Sequence, residues 1–307
     1  MHRSHAHADM TDPIYGYLAP QGFLPQLTEE IGSDAMETLG RLILAPARPV
    51  AWAANRWEAP IRIQIASIGD GAKKLRDIQR NWVLTPHLHH RRAALIEEKL
   101  PKVSAKPIVF GSPAPTAPLG SWMLIAPDTI LASPRCSSPF PNGEVRFVED
   151  KTAPPNRAYL KLWEFFTVMG EKPGSGQTCL DLGSSPGGWS WVLQGLGAKV
   201  ISVDKAPLDP RVASLAGIEF RQASAFALEP AMVGPVDWLF SDVVCYPERL
   251  LTLVEKWRAS GLARRFVCTL KFQTPTDFAT MRRFAAIPGS RLMHLHNNKH
   301  ELTWALP

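Results

Sequence analysis

The sequence predicts an α/β protein: a doubly wound, largely parallel sheet in the C-terminal half, preceded by a smaller α+β domain. Three observations predict it. From about Asn156, short apolar runs alternate with helical patterns, the signature of a parallel sheet with crossover helices. Residues 14–110 instead mix short strand-like and helix-like segments, with no internal repeat. Between the two textures, from Pro101 to Pro155, lie eleven prolines, which read as turns and connections rather than core. With 307 residues there is room for two domains, taken as 1–148 and 149–307.

In the first region, Arg62-Ile63-Gln64-Ile65-Ala66 alternates as a half-buried strand does. Lys73 to Trp82 places Leu75, Ile78 and Trp82 at helical spacing. Ser121–Ala126 and Thr129–Ser133 read as two strands turning at Pro127-Asp128. In the second region a helix is expected over Ala158–Met169. Strands follow at Thr178–Leu182, Lys199–Asp204, Ile218–Arg221, Val236–Ser241 and Phe266–Leu270. Helices are expected from Trp189, over Pro247–Ala259 and over Thr276–Ala286, and a final strand pair over Arg291–His296 and Glu301–Leu306.

Composition excludes several classes. Charged residues are 20% and apolar residues 45%, a globular balance rather than a disordered one. No run of 18 apolar residues offers a transmembrane helix. The first residues, MHRSHAHADMTD, lack the apolar stretch of a secretory signal. Their histidines (His2, His5, His7) read as a disordered terminus rather than a metal site. Cys136, Cys179, Cys245 and Cys268 stand far apart, which excludes an evident zinc ribbon or disulfide framework and points to a reducing, cytoplasmic setting. A net charge of +6 permits nucleic-acid binding without demanding it. Basic clusters occur at Lys73-Lys74 with Arg76 and Arg80, at His87, His89, His90, Arg91 and Arg92, and at Arg264-Arg265 and Arg282-Arg283. Each alone reads as a solvated face, and together they favour a phosphate contact somewhere.

The chemistry concentrates in the second region. A short strand holding Asp181 runs into Gly183-Ser184-Ser185-Pro186-Gly187-Gly188 and then a helix. Glycines let backbone N–H groups approach a ligand at such a corner. The next strand ends in Asp204, whose carboxylate can accept both ribose hydroxyls of an adenosine. The loop is not G-x-G-x-x-G, so a dinucleotide is disfavoured.

The string L-D-L-G-S-S-P-G-G-W resembles the S-adenosylmethionine loop of the FtsJ-like RNA ribose 2′-O-methyltransferases, and the resemblance extends over residues 156–307. It implies a Rossmann-like methyltransferase domain. Cofactor contacts would come from Gly183, Ser185, Pro186, Gly187, Gly188, Trp189, Asp204, Ser224 and Asp242. The family's Lys-Asp-Lys-Glu set falls in order: Lys161 in N-R-A-Y-L-K-L, Asp242 in W-L-F-S-D, Lys271 in V-C-T-L-K and Glu301 in H-E-L-T-W. As the resemblance implies, Lys271 is the base or the partner that lowers a pKa. Asp242 orients Lys271 near the methyl donor, and Lys161 and Glu301 steer the hydroxyl. Lys161 stands among Tyr159, Leu160, Leu162 and Trp163, an apolar setting that would push a lysine toward neutrality. No metal is needed.

The entry N-G-E-V-R-F-V-E-D-K-T-A-P-P-N-R-A-Y-L-K-L-W-E-F-F is similar to that of the THUMP-containing 23S ribosomal RNA cytidine 2′-O-methyltransferases, the RlmM family. Y-L-A-P-Q-G-F-L-P-Q-L-T-E-E-I-G and G-S-W-M-L-I-A-P-D-T-I-L-A-S-P also resemble that subgroup. The resemblance implies a THUMP-like RNA-docking region at residues 1–148. It implies large-subunit ribosomal RNA as partner, with neither DNA nor membrane. Two positions depart. Ser224 stands where the subgroup carries an acidic residue contacting adenine, so a charge-assisted contact is lost. Ser185 stands where Cys is frequent, a change of small consequence where backbone does the binding. Ser224 is also the one residue favouring an alternative, a non-catalytic RNA-binding or ribosome-assembly protein on this fold. A small-molecule O-methyltransferase is a third possibility that the tetrad disfavours.

Outside these motifs, His294 and His296 share a strand face near His300, and read as RNA-facing or solvent-facing rather than as a metal pair. Trp52, Trp57 and Trp82 are either core residues or stacking platforms for unpaired bases.

Overall fold

A computed structural model describes residues 12–273 and 275–307. The histidines at the start of the chain lie outside the described residues. The chain forms two compact units. The first runs to Val50 and takes in Asn55–Val103 and Ala117–Asn142; the second comprises Ala51–Ala54, Ser104–Thr116 and Gly143–Pro307.

In the first unit, β1 (Ile14–Leu18), α1 (Leu24–Ile31), β2 (Glu37–Leu39), β3 (Leu42–Pro46) and β4 (Asn55–Trp57) come first. They are followed by β5 (Ile61–Gln64), α2 (Ile68–Ile78), β6 (Trp82–Leu84), α3 (His90–Glu97), β7 (Gly120–Ala126) and β8 (Thr129–Ser133). Two four-stranded sheets result, ordered β2-β3-β1-β4 and β5-β8-β7-β6. Alternation along β7 and β8 sets the layers. Trp122, Leu124 and Ile130 pack with Leu75 of α2 and Ile96 of α3, whereas Met123 and Leu131 pack with Leu18, Leu42 and Trp57 of the other sheet. Both faces are covered, which is why these strands read as continuous apolar runs. The strands at 121–126 and 129–133 fall as expected.

One helix is shorter than its spacing predicts. It ends at Ile78, and Trp82 opens β6, its indole N–H donating back to the Leu75 and Gln79 carbonyls. The helix begins where Ser67 accepts from the Asp70 N–H at 3.1 Å while Asp70 accepts from the Ala66 N–H at 2.9 Å. Trp52, Trp57 and Trp82 are all buried, so none is presented as a stacking platform.

The second unit contains α4 (Tyr159–Met169), β9 (Thr178–Leu182), α5 (Gly188–Gly195), β10 (Lys199–Asp204), α6 (Pro210–Ala213) and β11 (Ile218–Gln222). It continues with α7 (Pro230–Val233), β12 (Val236–Ser241), α8 (Pro247–Ser260), β13 (Ala263–Lys271), α9 (Phe278–Ala285), β14 (Arg291–Met293) and β15 (Glu301–Leu306). The sheet order is β11-β10-β9-β12-β13-β15-β14. The first five pair in parallel; β15 pairs antiparallel to β13, and β14 to β15. The chain steps outward from β9 to β11 and then returns to β12 on the other side of β9. That reversal opens a crevice at the carboxyl ends of β9 and β12, where open α/β sheets bind ligands.

No helix among the described residues is long and apolar enough to cross a membrane. All four cysteines are free.

Candidate active site

Every residue of α4 from Tyr159 to Phe166 is buried. A helix buried all round cannot leave a charge unpaired, so Lys161 and Glu164 must find partners inside. Lys161 Nζ donates to Asp242 Oδ1 at 2.8 Å and to Glu301 Oε1 at 3.0 Å. Lys271 Nζ lies 3.1 Å from the same Asp242 Oδ1 and donates to the Asp242 carbonyl at 2.5 Å. The four residues expected to form a set thus form one bonded chain, Glu301–Lys161–Asp242–Lys271.

Strand geometry explains the convergence. Asp242 follows the last residue of β12, and Lys271 is the last residue of β13, so both reach the carboxyl edge. β15 runs the other way, and its register sets Glu301, its first residue, opposite Lys271. Lys161 arrives from α4.

The charge state of Lys161 differs from the sequence expectation. Burial pulls its pKa down, but the charges of Asp242 and Glu301 and their hydrogen bonds outweigh burial, and the net shift is upward. The helix is apolar, as its sequence reads, yet two carboxylates contributed by distant strands hold the lysine as an ammonium. Asp242 shows the converse. Burial pushes its pKa up, the charges and hydrogen bonds of the two lysines pull it down, and the net shift is downward.

A cavity of about 190 Å³ lies at the strand reversal, with Gly183, Asp204, Ser224, Phe226, Val243 and Arg249 among its walls. Gly183 has φ +77°, and a Cβ there would stand 2.6 Å from Val243 Cα, so the close approach of the two strand ends requires glycine. Gly187 has φ +116°, and a Cβ on Gly188 would meet Asn156 Oδ1 at 2.2 Å. The peptide bond between Ser185 and Pro186 is cis. Ser185 donates its N–H to Asp204 Oδ2 at 3.0 Å, and Ala206 donates to Asp204 Oδ1 at 3.0 Å. Each carboxylate oxygen keeps a second lone pair, so Asp204 can still accept ribose hydroxyls. Ser224 lines the cavity, as its position implies.

Trp189 differs from its expected place. Its ring is buried edge-on to Phe240 and its indole N–H donates to the Ala158 carbonyl at 3.0 Å. Of the expected cofactor contacts, Gly183, Asp204 and Ser224 line the cavity, and Ser185, Pro186, Gly187, Gly188, Trp189 and Asp242 do not; Lys161 Nζ stands 5.8 Å from the Trp189 ring centroid. His294 differs too. It is buried against Trp52, its Nε2 lies 3.1 Å from the Lys299 carbonyl, and burial pushes its pKa down to about 4, so it is a neutral core residue rather than a surface contact.

Three contributors escaped the sequence reading. Phe226 and Arg249 line the cavity, with the guanidinium 3.8 Å from the ring centroid, close enough for cation–π attraction. Glu164, 2% exposed, is the third. Its signal was a lone carboxylate inside the apolar run L-W-E-F-F, a place acids rarely occupy without a task. Burial pushes its pKa up to about 7, opposed by the donors it collects.

Residues 154–267 match the family described as FtsJ-like methyltransferase. Among curated relatives, the chain is 34% identical over 172 residues to the "Ribosomal RNA large subunit methyltransferase M" of Halorhodospira halophila, covering 53% of this chain and 50% of that protein. It is 37% identical over 147 residues to the protein of the same name from Laribacter hongkongensis, covering 46% and 41%. The chain spans about half the length of the curated relatives it matches. Loop, strand order and family match agree, and the chain carries, over residues 154–267, an FtsJ-like methyltransferase domain.

Proposed function

We propose that this protein transfers a methyl group from S-adenosylmethionine to a ribose 2′-hydroxyl of RNA, and that its target is a cytidine of 23S ribosomal RNA. The observation that carries the reading is the bonded chain Glu301–Lys161–Asp242–Lys271 at the edge that also holds the Gly183 loop. The relatives' names, large-subunit ribosomal RNA methyltransferases, favour the substrate.

The residues at the cavity fit the cofactor: a glycine that admits close backbone approach, a carboxylate for ribose hydroxyls, and a hydroxyl and an aromatic ring for adenine. Gly183, Asp204, Ser224, Phe226 and the start of the loop after Asp242 would hold it. When bound, it supplies an electrophilic methyl on a sulfonium.

The protein's own groups handle the hydroxyl. Lys161, tied to two carboxylates, stays an ammonium and orients the 2′-oxygen by donating to it. Lys271 shares one carboxylate with Lys161 and is the lysine we assign to accept the hydroxyl proton, which it does as the neutral amine after its own proton has left to solvent. Asp242 fixes both amines through one oxygen, and Glu301 anchors Lys161 from the other side. Holding nucleophile and electrophile in line supplies much of the rate. No step needs a metal ion. The first unit is read as a THUMP-like RNA-docking region, and the protein as acting in the cytoplasm, where free thiols persist.

The test is incubation with isotopically labelled S-adenosylmethionine and unmodified large-subunit ribosomal RNA, then digestion and mass spectrometry of labelled nucleosides, with Lys271→Ala alongside. Labelled 2′-O-methylcytidine, absent with the variant, is the expected result. A different ribose-methylated nucleoside rejects the cytidine assignment, and no label rejects the activity on this RNA.

A further inference from the structure

Glu164 stands three residues after Lys161 on α4 and spends its carboxylate on one short segment. Oε1 accepts the His296 N–H at 2.6 Å; Oε2 accepts the Asn297 N–H at 2.9 Å and the Asn297 side-chain amide at 2.8 Å. That segment is the turn between β14 and β15, and five residues beyond His296 it delivers Glu301 to Lys161. The same turn of helix therefore holds Glu301 twice: directly through Lys161, and through the chain leading into it.

We propose that Glu164 is a positioning residue, which locks the 294–300 turn to α4 and thereby keeps the Lys161–Glu301 pair in register. The inference rests on the tetrad being the methyl-transfer site. Three donors converge on one buried carboxyl group, and two of them are backbone N–H groups of successive residues, so the bonds fix the position of the turn as well as satisfying the acid. The turn has further holds. His294 donates its N–H to the Ala51 carbonyl at 2.9 Å, and Asn298 Nδ2 donates to Thr303 Oγ1 at 3.2 Å. Those contacts tie the turn to residues 51–54 and to β15. The bonds of Glu164 tie it to the helix that carries Lys161. Loss of the carboxylate frees the turn relative to Lys161, and a displacement of about 1 Å at a reacting constellation costs up to about a hundredfold in rate.

The test uses the full chain with Glu164→Gln, Glu301→Gln and the double variant. The amide keeps size but replaces one acceptor with a donor facing N–H groups. Single-turnover transfer to unmodified large-subunit ribosomal RNA is expected to slow by about tenfold to about a hundredfold in Glu164→Gln. Calorimetric affinity for S-adenosylmethionine is expected to change by less than about twofold, because the cavity is untouched. The double variant is expected to be no slower than Glu301→Gln alone, since the two act through one contact. An unchanged rate, or losses that multiply, overturns the inference. Amide exchange over residues 294–301 reads the lock without activity: faster exchange in Glu164→Gln supports it, and unchanged protection overturns it. Should the wild-type protein methylate no RNA, the functional reading fails and exchange alone decides whether Glu164 locks the turn. If Glu164→Gln does not fold, Asn297→Ala removes one donor without touching α4. It is then expected to speed exchange and slow transfer by about fivefold; no change in either overturns the proposal.

Discussion

Lys161 and Glu301 are 140 residues apart in sequence and 3.0 Å apart in space. Their side chains are each about 10% exposed, so the pair is shielded from the solvent that weakens surface ion pairs. Removing the cation leaves Asp242 and Glu301 without their shared partner. Lys161→Ala is therefore expected to lower stability by about 3–5 kcal/mol, read from denaturant midpoints at pH 7. The sign with pH follows from the shifts. The folded pKa of Asp242 is depressed, so its contribution is present above the unfolded carboxylate range and fades as pH falls through the folded value. The folded pKa of Lys161 is raised, so its contribution is full below the unfolded lysine value and is lost only as pH rises through the folded one. A wild-type-minus-variant stability difference that does not shrink in acid contradicts this assignment.

Lys271 carries a different expectation. Lys271→Ala removes the residue proposed as proton acceptor, and a loss of about 10²–10⁴ in transfer rate is expected, while the protein stays folded and calorimetric cofactor affinity holds. Lys271→Arg restores the charge but not the acceptor, because a guanidinium does not give up its proton. Arginine rescue of single-turnover transfer would mean that Lys271 acts through its charge alone.

Asp181 is fully buried, accepting from Ser190 Oγ at 2.6 Å while its Oδ1 meets no donor among the described residues. Burial pushes its pKa up to about 7. A carboxyl raised on folding binds its proton more tightly folded than unfolded. Its cost to stability therefore grows as pH rises from the unfolded value to about 7, and levels off above. Asp181→Asn is expected to gain melting temperature relative to wild type at pH 8 compared with pH 5. A pH-independent difference would show that Asp181 is not protonated in the fold.

Gly183 tests the crevice itself. Alanine there must adopt φ +77° with its Cβ 2.6 Å from the backbone of Val243. The expected result for Gly183→Ala is a loss of about 1–3 kcal/mol of stability and a cofactor affinity at least about tenfold weaker, by calorimetry. Unchanged affinity would place the cofactor away from this corner.

Ser224 tests the departure noted in the sequence. Ser224→Asp introduces a carboxylate into the cavity wall, and the adenine amino group is then offered a charge-assisted acceptor. Tighter binding of S-adenosylmethionine is expected, in the same calorimetric measurement. Weaker binding would show that repulsion from Asp204 dominates the cavity.

Local pattern was enough for most elements of the second unit and for the identity of the four charged residues that meet, but it missed the short helices α6 and α7 and carried the strand that ends at Met293 on to His296. Strand period, the glycine loop and motif order are local or linear properties, and they survive reading one residue at a time. The helix that stops at Ile78 shows the limit: periodicity carried it on to Trp82, but Trp82 is buried by a strand pairing with β7 that no local pattern reports. The same limit applies to Lys161. Its neighbours in sequence are apolar, and its state as an ammonium is set by Asp242 and Glu301, 81 and 140 residues away. The antiparallel entry of β15 sets Glu301 opposite Lys271, the return of the chain at β12 brings Asp242 beside the Gly183 loop, and the buried carboxylate of Glu164 draws the 294–300 turn onto α4. Charge state and site geometry depend on distances of a few ångströms between elements far apart in sequence, and sheet order and register create those distances.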